Sequence, residues 1–314
     1  MLNTIFLGTP DVAVPFLKVL AEKSRLLGVV TMPDQPVGRG YELACPPVKN
    51  AALGLGVPVL QPAALRAPAV EEALRRWGAA DLGVAVAYGK IIPLNIFSYP
   101  RLGMLNVHFS LLPKYRGAAP VQWALIRGER RTGVSLFQIE EALDSGPIYL
   151  QAGEDIRTED NSLTLRARLV EIGVRLLEDA LSLFERGECF PKKQEGEPSL
   201  APSLRKVDGL IHWNLRSAED VINLIRGTYE WPSAYTFFRG QMLKIREAGV
   251  ARGNGGEPGE IVGLEKGQGF LVRCAKEALL VRRVQPEGKK EMGAMDFWNG
   301  ARLKLGDRFE SPAP

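Results

Sequence analysis

The stretch LNVHFSLLPKYRGAAP, residues 105–120, places Asn106 and His108 two positions apart in an otherwise apolar run. Strand side chains alternate between faces, so both point one way while Leu105, Val107 and Phe109 point the other. A strand that only filled a core would carry Val, Ile or Leu at both positions. Asp144 follows in the turn EEALDSG, after a further strand predicted over 134–139, and from there it can meet the imidazole. An Asp–His pair orients the ring and stabilises its cationic form. The plain reading of His108 is a hydrogen-bonded core residue; an Asn on the same face and an Asp within reach favour chemistry instead. Asn, His and Asp without a nucleophilic Ser or Cys suit acyl transfer by direct attack of a substrate amine. The Asn amide and a protonated His would donate to the oxyanion. The Asp would hold the His and help to move protons from the amine. Ser110 and Ser145 lie close by, but no GxSxG elbow exists, which argues against a serine hydrolase.

The elements that must position these residues begin with a strand over 4–7. Thr9 and Pro10 suit the N-cap and first position of a helix whose apolar residues are Val12, Phe16, Val19 and Leu20. A second strand spans 26–31. Such a βαβ start predicts a parallel sheet, and a polar patch at the C-terminal end of a central strand is where α/β sheets bind ligands. The first turn is Gly-Thr-Pro rather than GxGxxG, which argues against a dinucleotide cofactor. Strands are also expected over 57–60, 82–86, 104–109 and 147–150. A helix is expected over 121–126, and a long one over 163–186 with Leu165, Leu169, Ile172, Leu176 and Leu183 on one face and Gly187 just past its end.

Residues 32–49, MPDQPVGRGYELACPPVK, show no periodicity. A loop of this length inside a compact domain is usually functional or disordered, and Gly-Arg-Gly between prolines looks built to present the charge of Arg39. Residues 187–205 are rich in Pro, Glu and Lys and read as a domain boundary. Beyond it, Ser217 and Asp220 form a capping-box variant before a short helix. Five short strand-like runs follow, with 251–259 expected as a hairpin loop, which suggests a small barrel of the OB type. The expected fold is therefore α/β: a Rossmann-like, mostly parallel sheet domain over 1–187, a linker over 188–205, and an OB-like β-barrel domain over 206–314. The net charge is +4, and residues 206–314 carry +3 of it. That excess permits a polyanionic partner without demanding one. Cys45, Cys189 and Cys274 are read as reduced thiols. Two histidines and no zinc spacing argue against a metal. No apolar run reaches membrane-spanning length, and the N-terminus lacks signal- or transit-peptide character, so a cytoplasmic protein is expected. Two domains can bury their own cores, so a monomer is expected.

NVHFSLLPKYRGAAP resembles the signature of the formyltransferases that use 10-formyltetrahydrofolate, Asn-x-His-x-Ser-x-Leu-Pro-x-x-Arg-Gly. This chain supplies Asn106, His108, Ser110, Leu112, Pro113, Arg116 and Gly117, then Leu143-Asp144-Ser145-Gly146. The resemblance implies Asn106, His108 and Asp144 as catalytic residues and Ser110, Leu111, Leu112 and Pro113 as folate contacts. The run VAYGKIIP, 86–93, is similar to the family's pterin-pocket loop, which adds Tyr88 and Ile92. FLGTPDVAVP, PDQPVGRG, WPSAYT and VQPEGKKEMGAMDFWNG resemble the branch that formylates methionyl initiator tRNA. That branch has a further β-barrel domain, and its inserted loop enters the acceptor end. The resemblance thus implies a folate cosubstrate, a tRNA partner, and Arg39 and Lys49 as RNA contacts. Two points depart from the family: His212 stands where an acidic residue is more usual, and the linker carries little signature. Formylation of another amine, such as a UDP-aminosugar, and a non-enzymatic RNA-binding module are the alternatives. The 32–49 loop and the basic C-terminal part speak against the first, and the intact Asn106, His108 and Asp144 set speaks against the second.

Overall fold

The computed structural model describes residues 1–37, 42–253 and 255–311; Arg39 lies outside them. In chain order the elements are β1 (Asn3–Gly8), α1 (Val14–Lys23), β2 (Arg25–Val30), β3 (Gln35–Val37), β4 (Glu42–Ala44), α2 (Pro47–Gly54), β5 (Val59–Leu60), α3 (Pro68–Trp77), β6 (Leu82–Val86), α4 (Leu94–Phe97), β7 (Met104–His108), α5 (Pro120–Ile126), β8 (Arg131–Gln138), β9 (Ile148–Asp155) and α6 (Ser162–Arg186). There follow α7 (Ala218–Gly227), β10 (Tyr235–Phe238), β11 (Gln241–Ala251), β12 (Ile261–Glu265), β13 (Gly269–Arg273), β14 (Ala278–Pro286), β15 (Met292–Gly293) and α8 (Ala294–Ala301).

Two compact units share these elements. The first comprises Met1–Gly117, Thr132–Asp155 and Ala167–Ala201, and the second comprises Ala118–Arg131, Ile156–Arg166 and the chain from Pro202 onward. The expected break at 187 thus gives way to a woven path. Residues 188–201, read from sequence as linker, belong to the first unit through bridges from Lys192 to Ile148 and from Leu200 to Arg116. Helix α5 belongs to the second, because Ile126 packs in the same cluster as Val221, Leu224 and Ile225 of α7. Apolar burial, not adjacency along the chain, decides the membership.

The first unit is built on a seven-stranded sheet in the order β5-β2-β1-β6-β7-β8-β9. Strands β5, β2, β1, β6 and β7 are parallel to their neighbours, while β8 runs antiparallel to β7. The mostly parallel expectation holds, with β7 at the point where parallel pairing ends. Every residue of β6 is buried, as strands covered on both faces require. Helix α1 starts at Val14, later than expected, after a 3-10 turn over Asp11–Ala13. Thr9 does not cap it; its hydroxyl donates to the Tyr88 carbonyl at 2.9 Å. On α6 Leu165, Leu169, Leu177 and Ala180 are fully buried, with Ile172, Leu176 and Leu183 only partly covered. The stripe turns this way because Gly173 lies against the Phe16 ring and Val107; a Cβ there would stand 2.9 Å from Phe16. The long helix therefore presses directly on the apolar face of β7. The segment 32–49 is not all irregular: β3 and β4 pair antiparallel, and α2 begins at Pro47.

The second unit holds an antiparallel sheet in the order β10-β11-β14-β13-β12, with β15 added on β14. Strand β11 pairs with β10 and β14 but not with β12, so β11 and β12 are not the two arms of the hairpin that the sequence suggests. The C-terminal segment bridges the two edges. Phe237 and Glu310 exchange backbone hydrogen bonds, Phe309 donates to the Gly259 carbonyl, and Ile261 donates to the Asp307 carbonyl. Closing a small barrel in this way removes both exposed edges. Phe309 then lies 6.2 Å from Trp213, 5.9 Å from Phe270 and 5.5 Å from Phe238, ring to ring. Phe309→Ala is expected to destabilise this unit by about 3–5 kcal/mol, as truncations of buried phenylalanines do. Urea unfolding followed by tryptophan fluorescence measures it; a loss below about 1 kcal/mol would mean that the segment does not close the core.

Candidate active site

Strand β7 delivers the two faces that the sequence predicts. Leu105 and Val107 are buried in the apolar layer, and His108 is buried on the opposite face, with Asn106 half-buried beside it. Asn106 is paired in register with Ala85 of β6 and Phe137 of β8, and His108 with Ser135. The Phe137 ring meets the imidazole edge-on at 6.3 Å. No hydrogen bond ties the Asn106 amide among the described residues, so its N–H groups are available to a substrate.

The imidazole is held by a backbone carbonyl. His108 Nε2 lies 2.8 Å from the Tyr115 oxygen, which accepts only, so that nitrogen carries a proton. Tyr115 has a left-handed backbone (φ +62°), which places its carbonyl for this contact. Nδ1 faces Asp144 Oδ2 at 3.7 Å. That is beyond hydrogen-bond reach, so Asp144 acts on the ring as a nearby charge. This corrects the sequence expectation that the carboxylate itself orients the ring. Burial pushes the imidazole below its ordinary pKa of 6.5, and Asp144 opposes that shift without cancelling it. His108 is therefore neutral at rest, with the Nδ1 lone pair open.

Asp144 is also held from its own side. Its Oδ2 accepts from the Gly117 N–H at 2.7 Å. A Cβ on Gly117 (φ +124°) would stand 2.5 Å from the Ala201 carbonyl oxygen, so only glycine brings that N–H to the carboxylate. Asp144 itself has φ +47°. Two residues further on, Gly146 lies so close to the Gln138 carbonyl that any side chain would collide with it. Between His108 and Gly117 the chain folds on itself. The Ser110 hydroxyl donates to the Lys114 carbonyl at 2.6 Å. Ser135 donates to the Ser110 carbonyl at 2.6 Å and accepts from Leu112 N–H at 3.1 Å, and Gln151 donates to the Leu112 carbonyl at 3.1 Å. Ser110 and Leu112 are thus buried and occupied by these contacts, and Leu111 and Pro113 hold the more exposed surface of the run.

The two halves of the chain match two family models, Formyl transferase over residues 3–181 and Formyl transferase, C-terminal domain, over 203–302. A curated relative from Thermodesulfovibrio yellowstonii, named Methionyl-tRNA formyltransferase, is 44% identical over 96% of this chain and 97% of its own. One of the same name from Endomicrobium trichonymphae is 42% identical over 98% and 100%. The chain belongs to the formyl transferase family. Among solved structures, HypX from Aquifex aeolicus in complex with tetrahydrofolic acid shares the fold at 16% identity and a TM-score of 0.65, over 98% of this chain and 48% of that one.

Loop 87–93 leaves β6 beside β7 through two left-handed residues, Ala87 and Gly89. Tyr88 belongs to the apolar cluster that also holds Ile5, Leu7 and Leu74, and Ile92 lies against the same cluster. The Tyr88 hydroxyl is buried without a partner among the described residues, and burial pushes it up to about 12. Lys49 is not a free cation: its Nζ lies 2.6 Å from Asp34, whose other oxygen accepts from Gln61 at 2.7 Å. The Gln61 and Lys49 contacts hold the Asp34 carboxyl below the usual carboxylate range. Tyr115, Ser135, Gln151 and Gln194 also build the site, without an obvious motif of their own in the sequence. The one available signal was Ser135, a polar residue in the middle of the buried strand VSLF.

The neutral His108 has a consequence for stability. In the unfolded chain the imidazole takes up a proton near its ordinary 6.5, whereas the folded site resists it. Stability is full above that pH and is lost as pH falls below it, before most carboxylates titrate. The thermal midpoint of the wild type is expected to drop more between pH 7 and pH 5.5 than that of His108→Gln. Equal drops would show that the buried ring is not held neutral.

Proposed function

We propose that this formyl transferase moves a formyl group from 10-formyltetrahydrofolate to the free amino group of methionyl initiator tRNA. The observation that carries the mechanism is the arrangement of an untied Asn106 amide, a neutral His108 with Nδ1 open, and Asp144 at 3.7 Å. Likeness over nearly the full chain to relatives named for this activity supports the substrate pair. The folate supplies the activated formyl group and a nitrogen leaving group. Its fit here is supported by the loops that follow β6 and β7 side by side. These present Ile92, Leu111 and Pro113 as apolar surface and leave the Tyr88 hydroxyl unsatisfied, a state that costs about 1–3 kcal/mol.

The chain's own groups divide the work. Asn106 donates to the formyl oxygen as negative charge builds on it during attack by the amine. His108 Nδ1 accepts the proton that the attacking nitrogen sheds. The imidazolium so formed is stabilised by Asp144, whose Oδ1, untied among the described residues, is free to hold the incoming amine. Nδ1–H then returns the proton to the nitrogen that loses the formyl group. Because His108 rests neutral, it enters as a base and gains its N–H on the reacting side only during the reaction. The oxyanion role therefore falls first to Asn106.

The second unit and the loop around Arg39 are assigned to the tRNA, through phosphate contacts and the acceptor end. Lys49, clasped by Asp34, anchors the base of that loop rather than meeting phosphate. Among the described residues no helix is long and apolar enough to cross a membrane; a cytoplasmic monomer is part of the same reading. The test is formyl transfer to methionyl initiator tRNA beside methionyl elongator tRNA and an aminosugar nucleotide. Transfer to the initiator is expected, with Asn106→Ala lowering kcat by about 10²–10³-fold. Transfer to the sugar amine alone would overturn the reading.

A further inference from the structure

The segment 192–201 carries no motif, yet it touches both supports of the site. Lys192 exchanges backbone hydrogen bonds with Ile148. Ser199 Oγ accepts from Tyr115 N–H at 2.9 Å, and the Ser199 carbonyl accepts from Arg116 N–H at 2.8 Å. Tyr115 is the residue whose carbonyl holds His108. Between these anchors stands Gln194. Its Nε2 donates to the Asp144 carbonyl and to the Gly146 carbonyl, each at 2.8 Å. Its Oε1 accepts from the Arg116 guanidinium at 2.6 Å. All three bonds agree on one orientation of the amide, since a flipped amide would face an oxygen to two carbonyls and an NH₂ to a cation.

We propose that Gln194 is a positioning residue: its amide locks the left-handed turn at Asp144 to Arg116 and so fixes the carboxylate opposite His108 Nδ1. The inference rests on the catalytic roles given above for His108 and Asp144. Neighbouring groups do not replace it. The Gly117 N–H holds the carboxylate itself, but among the described residues only Gln194 holds the backbone carbonyls on both sides of Ser145. Arg116 serves as the amide's orienting partner, and its backbone is pinned to Ser199 and Ala201 on the same segment.

Two variants separate the contacts. Gln194→Met keeps the length and loses all three hydrogen bonds. Gln194→Glu keeps a partner for Arg116 and loses both donations to the turn. In each, kcat for formyl transfer is expected to fall by about 10–100-fold, the scale of a misplaced catalytic group, with both KM values within about twofold. A second readout does not depend on activity. The chain has only two histidines, so the His108 imidazole is readily followed by NMR. With Asp144 no longer held opposite Nδ1, His108 is expected to titrate at lower pH than in the wild type, in the direction of Asp144→Asn. Unchanged kcat and unchanged His108 titration in both variants would overturn the inference. A wild type that transfers no formyl group would overturn the proposed function instead, and the histidine titration would still decide the role of Gln194. Should Gln194→Met fail to fold, Gln194→Glu, which retains the Arg116 contact, gives the answer.

Discussion

One hydrogen bond organises the site: His108 Nε2–H to the carbonyl of Tyr115, 2.8 Å long and buried. A backbone carbonyl accepts and never donates, so this bond fixes the tautomer as well as the tilt of the ring. Everything else follows from the nitrogen left over. Nδ1 is unprotonated, faces Asp144 across 3.7 Å, and lies on the same strand face as the Asn106 amide. Burial keeps the ring neutral until a proton arrives from a substrate, and Asp144 lowers the cost of that arrival. A carboxylate hydrogen-bonded to the ring would instead have made the cation the resting form.

To hold that carbonyl in place the chain uses conformations that are costly alone. Tyr115 and Asp144 both have positive φ, and Gly117 lies where a Cβ would meet the Ala201 oxygen. Each such non-glycine residue costs on the order of 1–3 kcal/mol and persists only when its surroundings over-determine it. Here they do so. Ser135 and Gln151 secure the run 110–112, Ser199 secures Tyr115, and Gln194 secures the Asp144 turn. Strand β7, pressed by α6 through Gly173, is the rigid base from which these loops spring.

Much of this was legible in the sequence, and the limits have physical causes. Alternation in LNVHF gave the two faces of β7, and DSG gave the turn that carries Asp144. The mostly parallel pairing follows from the βαβ rhythm, whereas the order of the strands in the sheet does not. The helix start at Val14 was missed because Thr9, a good cap by type, is used by the Tyr88 carbonyl instead. Residues 188–201 read as linker because backbone pairing and single side-chain bonds leave no periodic trace. The membership of α5 in the second unit depends on Ile126 finding its apolar neighbours on the distant α7, which no local pattern encodes. The resemblance implies Lys49 as an RNA contact, and its pairing with Asp34, fifteen residues distant, leaves no local trace in the sequence.

The most direct test of this arrangement is the tautomer of His108 in the resting protein, read from the ¹⁵N shifts of its ring nitrogens near pH 7.5. A neutral ring with the proton on Nε2 and a bare Nδ1 is expected. A proton on Nδ1, with Nε2 bare or with both nitrogens protonated, would contradict the Tyr115 anchor and with it the role of His108 as the acceptor of the substrate's proton.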